Sequence, residues 1–306
     1  GRALDETTYE FTDNVTVQSN NFYVGSSMTL FNGLVNYNTI MKNKYQVLAG
    51  EQDLERFRDD ISMNIALAYL QILLNQELVN ATAAQVELTR QQIVRTRKMV
   101  DAGGLARGNL LDIEAQAARE ELQLVNLQNQ LTLSVLTLAQ MLELRNTEDF
   151  AVAVPIITLS DTSVRGDPSG VYSIAEKIRP EILSAEYQLR QAEYDLAIAR
   201  GGRSPRLSFG ANMGTAYSDN RVHPVTLEKY SFKDQVNDNL NYGIGFSLSV
   251  PIFNGWQVNT GIRNSRLGIE NSRYALENTK KQLYKTIQQA FTDATGALKK
   301  YYASQK

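Results

Sequence analysis

Few side chains in this sequence could carry catalysis. Among 306 residues there is no cysteine and a single histidine, His223. That inventory excludes cysteine nucleophiles, zinc–thiolate sites, histidine-based triads and multi-histidine metal centres. His223 stands beside Pro224 in a polar stretch and reads as an exposed loop residue. Carboxylates occur as adjacent pairs, Asp59-Asp60 and Glu120-Glu121. Adjacent residues on a helix point in different directions, so neither pair forms an acid–base site. There is no phosphate-cradling glycine loop and no nucleophile elbow. A net charge of −2 gives no electrostatic reason to bind nucleic acid. The expectation is a protein with no catalytic site, no cofactor and no resident metal.

The spacing that does stand out is structural. Phe31-Asn32-Gly33 recurs as Phe253-Asn254-Gly255, 222 residues later. Each copy ends a run that alternates apolar with small residues, and each opens a long helical pattern. The register persists downstream, where Ala68-Tyr69 falls opposite Ala290-Phe291. A period this long marks a duplicated supersecondary unit.

The elements around these junctions follow from periodicity. Residues 1–20 are polar and acidic (Asp5, Glu6, Glu10, Asp13) and read as loop, with a short strand around Tyr9 and Phe11. Residues 22–31 alternate, with Phe22, Val24, Met28 and Leu30 on one face and Tyr23, Gly25, Ser27 and Thr29 on the other. From Leu34 to Val100 there is no proline and only Gly50, so a helix of about 67 residues and about 100 Å is predicted, with Asn32 as N-cap. Such a rod needs lateral support from other helices. Glycines 103, 104 and 108 reverse the chain. A second helix then runs from about Leu110 to Leu144, with Leu124, Leu127, Leu131, Val135, Leu138 and Leu142 at coiled-coil spacing. A linker follows, containing Pro155, Gly166, Pro168 and Gly170 and one short strand at Phe150–Val154. The next helix spans 171–200 and is interrupted at Arg179-Pro180. Strands are predicted at Leu207–Tyr217 and Tyr242–Val250 around a polar loop at 218–239. A final helix fills 256–306.

The strands point to a membrane. Each has about ten residues, bulky apolar on one face and small or polar on the other, which suits a lipid-facing barrel strand. Tyr217, Tyr230, Phe232 and Tyr242 gather toward one end; Phe31, Tyr37, Phe253 and Trp256 gather toward the other. Two aromatic belts flank an apolar band. A half-buried sheet packed on protein is the alternative, and the long helices offer no compact layer for it. Three or four strands are too few to close a barrel, and lipid does not satisfy an open edge. Several copies must therefore share one barrel, with the helices continuing below it as a tube. No apolar run reaches 18 residues, so no transmembrane helix is predicted. No secretory leader is visible. The abrupt start at Gly1-Arg2 and the stop at Lys306 within a helical pattern are those expected of a piece of something longer.

The same residues resemble the outer-membrane efflux protein family, the TolC-like channels. The resemblance covers nearly the whole chain. It rests on the doubled Phe-Asn-Gly junction, on Ile178-Arg179-Pro180-Glu181-Ile182 with the run from Ala192 to Gly214, and on the tip from Ala102 to Leu111. It implies a membrane α+β fold with two structural repeats. Long antiparallel helical hairpins form an α-barrel, and strands contribute to a shared trimeric transmembrane β-barrel of twelve strands. The implied partners are two further copies of the chain, outer-membrane lipid, a periplasmic adaptor (membrane fusion) protein and an inner-membrane pump of RND, ABC or MFS type, with no nucleic acid. The implied place is the outer membrane of a Gram-negative bacterium, with helices in the periplasm. Against the family pattern this chain lacks the first helix, the first strand and the return half of the second hairpin, whose tip carries the family's inner gate. The family often has Asp where this chain has Asn109.

The expected division is a first barrel segment at 1–31, a first helical hairpin at 32–145, a linker at 146–170, a helix leading to the barrel at 171–203, a second β-hairpin at 204–253 and the start of a second helical hairpin at 254–306. Gly103, Gly104, Leu105, Ala106, Arg107, Gly108 and Asn109 are expected to dock the adaptor. Gly210, Asn212, Gly243, Gly245, Ser247 and Ser249 are expected to line the lumen. Leu207, Phe209, Ile244, Phe246 and Leu248 are expected to face lipid. Phe31, Asn32, Gly33, Phe253, Asn254 and Gly255 are expected to act as structural hinges between strand and helix, and Arg90, Arg95, Arg97 and Lys98 as a solvated face. The expected function is the outer-membrane component of a tripartite efflux or type I secretion system. A periplasmic adaptor, or a structural coiled-coil protein of an envelope-spanning assembly, is the alternative.

Overall fold

The structure is a computed structural model that describes residues 2–4, 8–12, 16–145, 150–155, 167–223, 225 and 228–305. Asp5, Glu6, Asp13, Gly166 and Pro224 lie outside the described residues. In chain order the elements are β1 (Ala3–Leu4), β2 (Phe11–Thr12), β3 (Ser19–Phe31), α1 (Val35–Asp101), α2 (Arg107–Met141), α3 (Pro168–Ile178), α4 (Pro180–Gly201), β4 (Arg206–Ser218), α5 (Phe232–Asp238), β5 (Asn241–Ser249) and α6 (Gln257–Ser304). They fall into two compact units, Gly1–Glu51 with Glu176–Lys285, and Gln52–Ala175 with Thr286–Lys306.

The first unit holds the sheets. β3, β4 and β5 form an antiparallel sheet in the order β3-β4-β5, and β1 pairs with β2 in a small separate ribbon. Tyr9 has a positive φ of 56° and lies just outside that ribbon. In the larger sheet, Met28, Phe209 and Phe246 share one cross-strand row and Gly25, Asn212 and Gly243 share another. Alternation along each strand therefore becomes one apolar and one small-residue face across all three. A bulge between Thr29 and Phe31 shifts the pairing, so Phe31 and not Leu30 stands opposite Leu207.

Helices of the same unit are tied by specific contacts. Tyr45 on α1 stacks on Tyr194 with centroids 5.6 Å apart and leans on Tyr187, both on α4. Lys42 pairs with Asp195 at 2.7 Å, and Lys280 on α6 pairs with Glu176 on α3 at 2.8 Å. Ile182 is fully buried at the start of α4. The break between α3 and α4 falls at Arg179, ahead of Pro180 at the first helical position, where a missing N–H costs nothing. α3 begins at Pro168, a few residues before the expected start at 171.

The second unit is built on the α1–α2 hairpin. Ile72, Val86, Ala117, Leu138 and Ala139 are buried in its seam, with the polar Asn75 and Thr89 beside them. Leu124, Leu127, Leu131 and Val135 are half-buried, as their spacing predicts, while Leu142 at the end of the row is exposed. α2 ends three residues short of Leu144, because Glu143 takes a positive φ of 54° and the N–H groups of Glu143 and Leu144 donate to the carbonyls of Gln140 and Ala139. Residues 150–155 form no strand, contrary to the expectation for 150–154. Phe150, Ala151 and Val152 instead line an apolar hollow with Ile65, Tyr69 and Leu138, and the Tyr69 hydroxyl donates to the Ala153 carbonyl at 2.8 Å. Apolar burial decided the conformation there, without a ladder.

Candidate functional site

Three surfaces carry the residues singled out by the sequence: the sheet, the junctions and the hairpin tip.

Away from α5, the apolar face of the sheet is bare. Ile244, Phe246 and Leu248 on β5 are 79%, 71% and 66% exposed, and Val24 and Met28 on β3 are exposed too. Leu207 and Phe209 are half-buried because β4 is the central strand, flanked by β3 and β5. Phe209 packs on Phe246 at 5.2 Å. The opposite face carries Gly210, Asn212, Gly243, Gly245 and Ser247, which line an open hollow with Tyr23, Gly25, Ser27 and Ser208. Ser249 lies at the far end, opposite Arg206. Strand register places the two expected sets on opposite faces, although Phe209, Ile244 and Phe246 also border this hollow.

The two junctions share an unusual backbone. Gly33 and Leu34 both have positive φ, 67° and 63°; Gly255 and Trp256 repeat this at 59° and 64°. In each, the residue after the tight turn donates to the asparagine carbonyl, Val35 to Asn32 and Gln257 to Asn254. The first helical hydrogen bonds then run to the carbonyls of Leu34 and Trp256. Asn32 is therefore not the N-cap expected from sequence. It lies three residues before Val35, and its side-chain oxygen accepts weakly from the Asn36 N–H at 3.4 Å. Glycine supplies one left-handed residue without cost. Leu34 and Trp256 hold the same region against their own Cβ. The surroundings of the two junctions differ. At Gly33 the backbone of Gly201 and the side chain of Ser204 close in, whereas Gly255 faces open space.

At the hairpin tip, Gly103 has φ 78° and ends α1. The N–H groups of Gly103 and Gly104 donate to the carbonyls of Val100 and Met99, both at 2.9 Å. α2 starts at Arg107, earlier than the expected Leu110, so Arg107, Gly108 and Asn109 belong to its first turn and not to a loop. The first-turn N–H groups need no intrahelical partners, which lets a glycine sit there cheaply. Gly103, Gly104, Ala106, Arg107, Gly108 and Asn109 are exposed, and Leu105 is half-buried.

The hairpin behind the tip is laced by polar pairs. Arg97 bonds Glu114 at 2.7 Å and Arg90 bonds Glu121 at 2.8 Å. These arginines are exposed but paired across the helices, which refines the plain solvated face expected of them. Glu121 raises the pKa of Arg90 through hydrogen bonding and its charge. Glu120 turns instead toward Thr89, Gln116 and Gln85, and hydrogen bonds from Thr89 and then Gln116 hold its carboxyl below the usual range. The two adjacent carboxylates thus face different partners. No group of three or more metal-ligating side chains gathers among the described residues, and no described helix is long and apolar enough to cross a membrane.

One feature of the 218–239 loop was missed from sequence. It contains α5, capped by Ser231, whose hydroxyl accepts from the Asp234 N–H. Gln235 on α5 is fully buried and bonds both backbone groups of Ser218 and the carbonyl of Tyr230. Asn239 donates to the Ala216 carbonyl, and the Thr215 hydroxyl donates to that of Val236. Phe232 meets Tyr217 at 5.0 Å and Phe22 at 6.2 Å, on the apolar side of the sheet. The signal was present as Ser231-Phe-Lys-Asp234, a serine N-cap with an acid three residues on. His223 is half-buried rather than exposed; it packs edge-on against Tyr230 and its Nδ1 accepts from the Val225 N–H.

Comparison with known proteins agrees with this geometry. No curated protein sequence matches the chain. Among solved structures, a membrane protein from Pseudomonas aeruginosa is similar at a TM-score of 0.75 and 15% identity, over 94% of this chain and 69% of that one. The Campylobacter jejuni CmeC outer membrane channel gives 0.75 and 16%, over 95% and 65%. The outer membrane protein VceC of Vibrio cholerae gives 0.70 and 17%, over 92% and 70%. At these identities the likeness establishes the fold. The model of the family described as outer membrane efflux protein matches residues 2–143 and 171–306. Most of the sequence and all three candidate surfaces fall within those limits, and the chain belongs to the outer membrane efflux protein family, as a channel protein of the outer membrane and not an enzyme.

Proposed function

We propose that this protein is the outer-membrane conduit of a tripartite efflux or type I secretion system, working as a homotrimer with a periplasmic adaptor and an inner-membrane pump. The observation that carries the reading is the apolar face of an open three-stranded sheet, bare away from α5. Lipid satisfies apolar side chains but not unpaired strand edges, so the sheet has to close with sheets from other copies. Closure with the apolar face outward places Leu207, Phe209, Ile244, Phe246 and Leu248 against lipid. Gly210, Asn212, Gly243, Gly245, Ser247 and Ser249 then line the lumen. On this reading 1–31 and 204–253 serve the barrel, 32–145 is the first periplasmic hairpin, 146–170 the linker, 171–203 the helix leading back to the barrel and 254–306 the start of the second hairpin. The matching left-handed turns at Gly33-Leu34 and Gly255-Trp256 support two repeats, with both junctions as structural hinges.

The tip from Gly103 to Asn109 is the proposed adaptor dock. Its exposure and its lack of bulk allow a partner backbone to approach closely. Gly104 is the position to test, because a Cβ there meets nothing closer than the Met99 carbonyl at 3.5 Å and its φ is not left-handed. Gly104→Trp should abolish efflux while leaving trimer level intact. Normal efflux with a normal trimer would refute docking. The channel reading itself is tested by detergent extraction and planar-bilayer recording: the purified protein should require detergent and give stable conductance steps. A detergent-free monomer without conductance would return the adaptor or coiled-coil reading.

A further inference from the structure

The small-residue face of the sheet contains two side chains that lie flat rather than standing up. Across one row, Gly25, Asn212 and Gly243 are register partners on β3, β4 and β5. A Cβ at Gly25 would fall 2.8 Å from the ring carbons Cε1 and Cζ of Tyr23 and closer still to its hydroxyl. A Cβ at Gly243 would fall 2.7 Å from Oδ1 of Asn212 and 3.2 Å from its Nδ2. The Tyr23 ring therefore lies along its strand over Gly25, with one edge 3.8 Å from the Cβ position of Gly214 on β4. The Asn212 amide lies sideways over Gly243. Tyr23 is 72% exposed, so no other side chain presses the ring down. Gly245, one row away on β5, has nothing within 4 Å of its Cβ position. The glycines of this face thus differ in role: two of them are seats for a neighbouring side chain, and Gly245 is not.

We infer that Gly25 and Gly243 are bore-setting residues, which keep Tyr23 and Asn212 folded against the barrel wall and so hold the passage open at this row. This rests on the lumen assignment proposed above. A side chain with no space to lie down on a glycine has to stand up. On a lumen face, standing up means projecting into the passage, whose diameter and lining groups decide what moves through. The atoms to be displaced are the free ends of flexible, exposed side chains, so alanine at either glycine rotates Tyr23 or Asn212 without breaking the ladder. Closure from several copies repeats the effect around the ring, with a tyrosine and an amide rising from each. Any added obstruction lies in series with the rest of the conduit and raises its resistance.

The test is single-channel recording of the purified trimer in planar bilayers, with heat-resistant trimer on gels as the assembly check. Gly25→Ala and Gly243→Ala should each lower conductance. The loss at Gly25→Ala should vanish when Tyr23→Ala is added, and the loss at Gly243→Ala should vanish when Asn212→Ala is added. Gly245→Ala, with no side chain to displace, should lower conductance less than either. Unchanged conductance in both glycine variants overturns the inference, as does a loss that persists after the displaced side chain is removed. Should one glycine variant fail to assemble, the other tests the same row through a different strand and a different side chain. A wild-type protein without conductance defeats the lumen assignment itself, and that failure is recognised before any variant is made.

Discussion

Replacing Gly33 by alanine tests the claim that close backbone approach, and not only turn chemistry, fixes the first strand–helix junction. Two costs are expected. Alanine at φ 67° enters the left-handed region, at about 1–2 kcal/mol. Its Cβ also meets Ser204 Cβ at 2.5 Å and the Gly201 carbonyl at 2.6 Å, and forced overpacking of this kind costs about 1–3 kcal/mol. Gly33→Ala should therefore lose about 2–5 kcal/mol. Gly255→Ala incurs the left-handed penalty without any overlap, and should lose only about 1–2 kcal/mol. Gly201→Ala has no left-handed penalty, but its Cβ overlaps Val35 Cγ2 at 2.6 Å and the Gly33 carbonyl at 2.7 Å, so about 1–3 kcal/mol is expected. Because Gly33 and Gly201 share one contact, the double variant should lose less than the two single losses combined. The assay is thermal unfolding in detergent, followed by helical circular dichroism at fixed protein concentration. Equal losses at Gly33 and Gly255, or a harmless Gly201→Ala, would refute the packing argument.

Four further outcomes follow from the same structure. Phe246→Lys should cost about 2–4 kcal/mol of folding into lipid vesicles if Phe246 sits at the bilayer midplane, whereas Ser247→Lys, on the other face, should cost far less. Gly50 lies inside α1 with open space around its Cβ position, so Gly50→Ala should stabilise by about 0.5–1 kcal/mol in the same thermal assay. Gln235→Ala takes the side-chain acceptor from the Ser218 N–H and leaves its carbonyl only the long 3.4 Å bond from the Arg221 N–H, and amide exchange over 215–240 should accelerate while the β4–β5 ladder stays protected. Glu120 has a lowered pKa in the fold, so its stabilising contribution is complete above the ordinary glutamate range and is lost as pH falls through the lowered value; Glu120→Gln should flatten that acid limb of the stability curve.

The long helices and the strands were legible because each rests on a signal that tertiary contacts have little power to override. A stretch with one glycine and no proline from Leu34 to Val100 has no place to break, and α1 runs Val35–Asp101. Alternation in 207–217 survives as β4 because a one-residue slip would exchange its faces. What sequence did not reveal depends on groups far apart along the chain. The bulge at Thr29/Phe31 becomes visible only once β3 is laid against β4. α5, with 7 residues, is too short to display a helical period, and Gln235 is buried through partners 17 residues away. The expected strand at 150–154 has apolar residues but no neighbour to pair with; they fill a hollow between helices instead. For the candidate surfaces, alternation separates the residues proposed to face lipid from those proposed to line the lumen, but it does not show which glycines carry another residue's side chain.

The exposed face of the sheet decides how mutational data on this protein must be read. Ile244, Phe246 and Leu248 are each largely exposed in the isolated chain. Moving such a side chain out of water is worth about 1.5–3 kcal/mol, so these three alone represent roughly 5–9 kcal/mol per copy. That is comparable to the whole net stability of a typical domain, about 5–15 kcal/mol. With the face turned to lipid as proposed, membrane insertion is a term in folding itself and not a later event. A substitution on the apolar face should appear first as failed insertion and lost assembly, with the hairpin seam around Leu138 and Ala139 still intact. A substitution in that seam should do the reverse, loosening the hairpin while the strands still find lipid. Separate readouts of the two, by protease protection of the barrel and by helical circular dichroism of the hairpin, should therefore divide the variants by surface and not by severity. A Phe246→Lys protein whose helices melt together with its barrel would show that the sheet and the hairpin are not energetically separable.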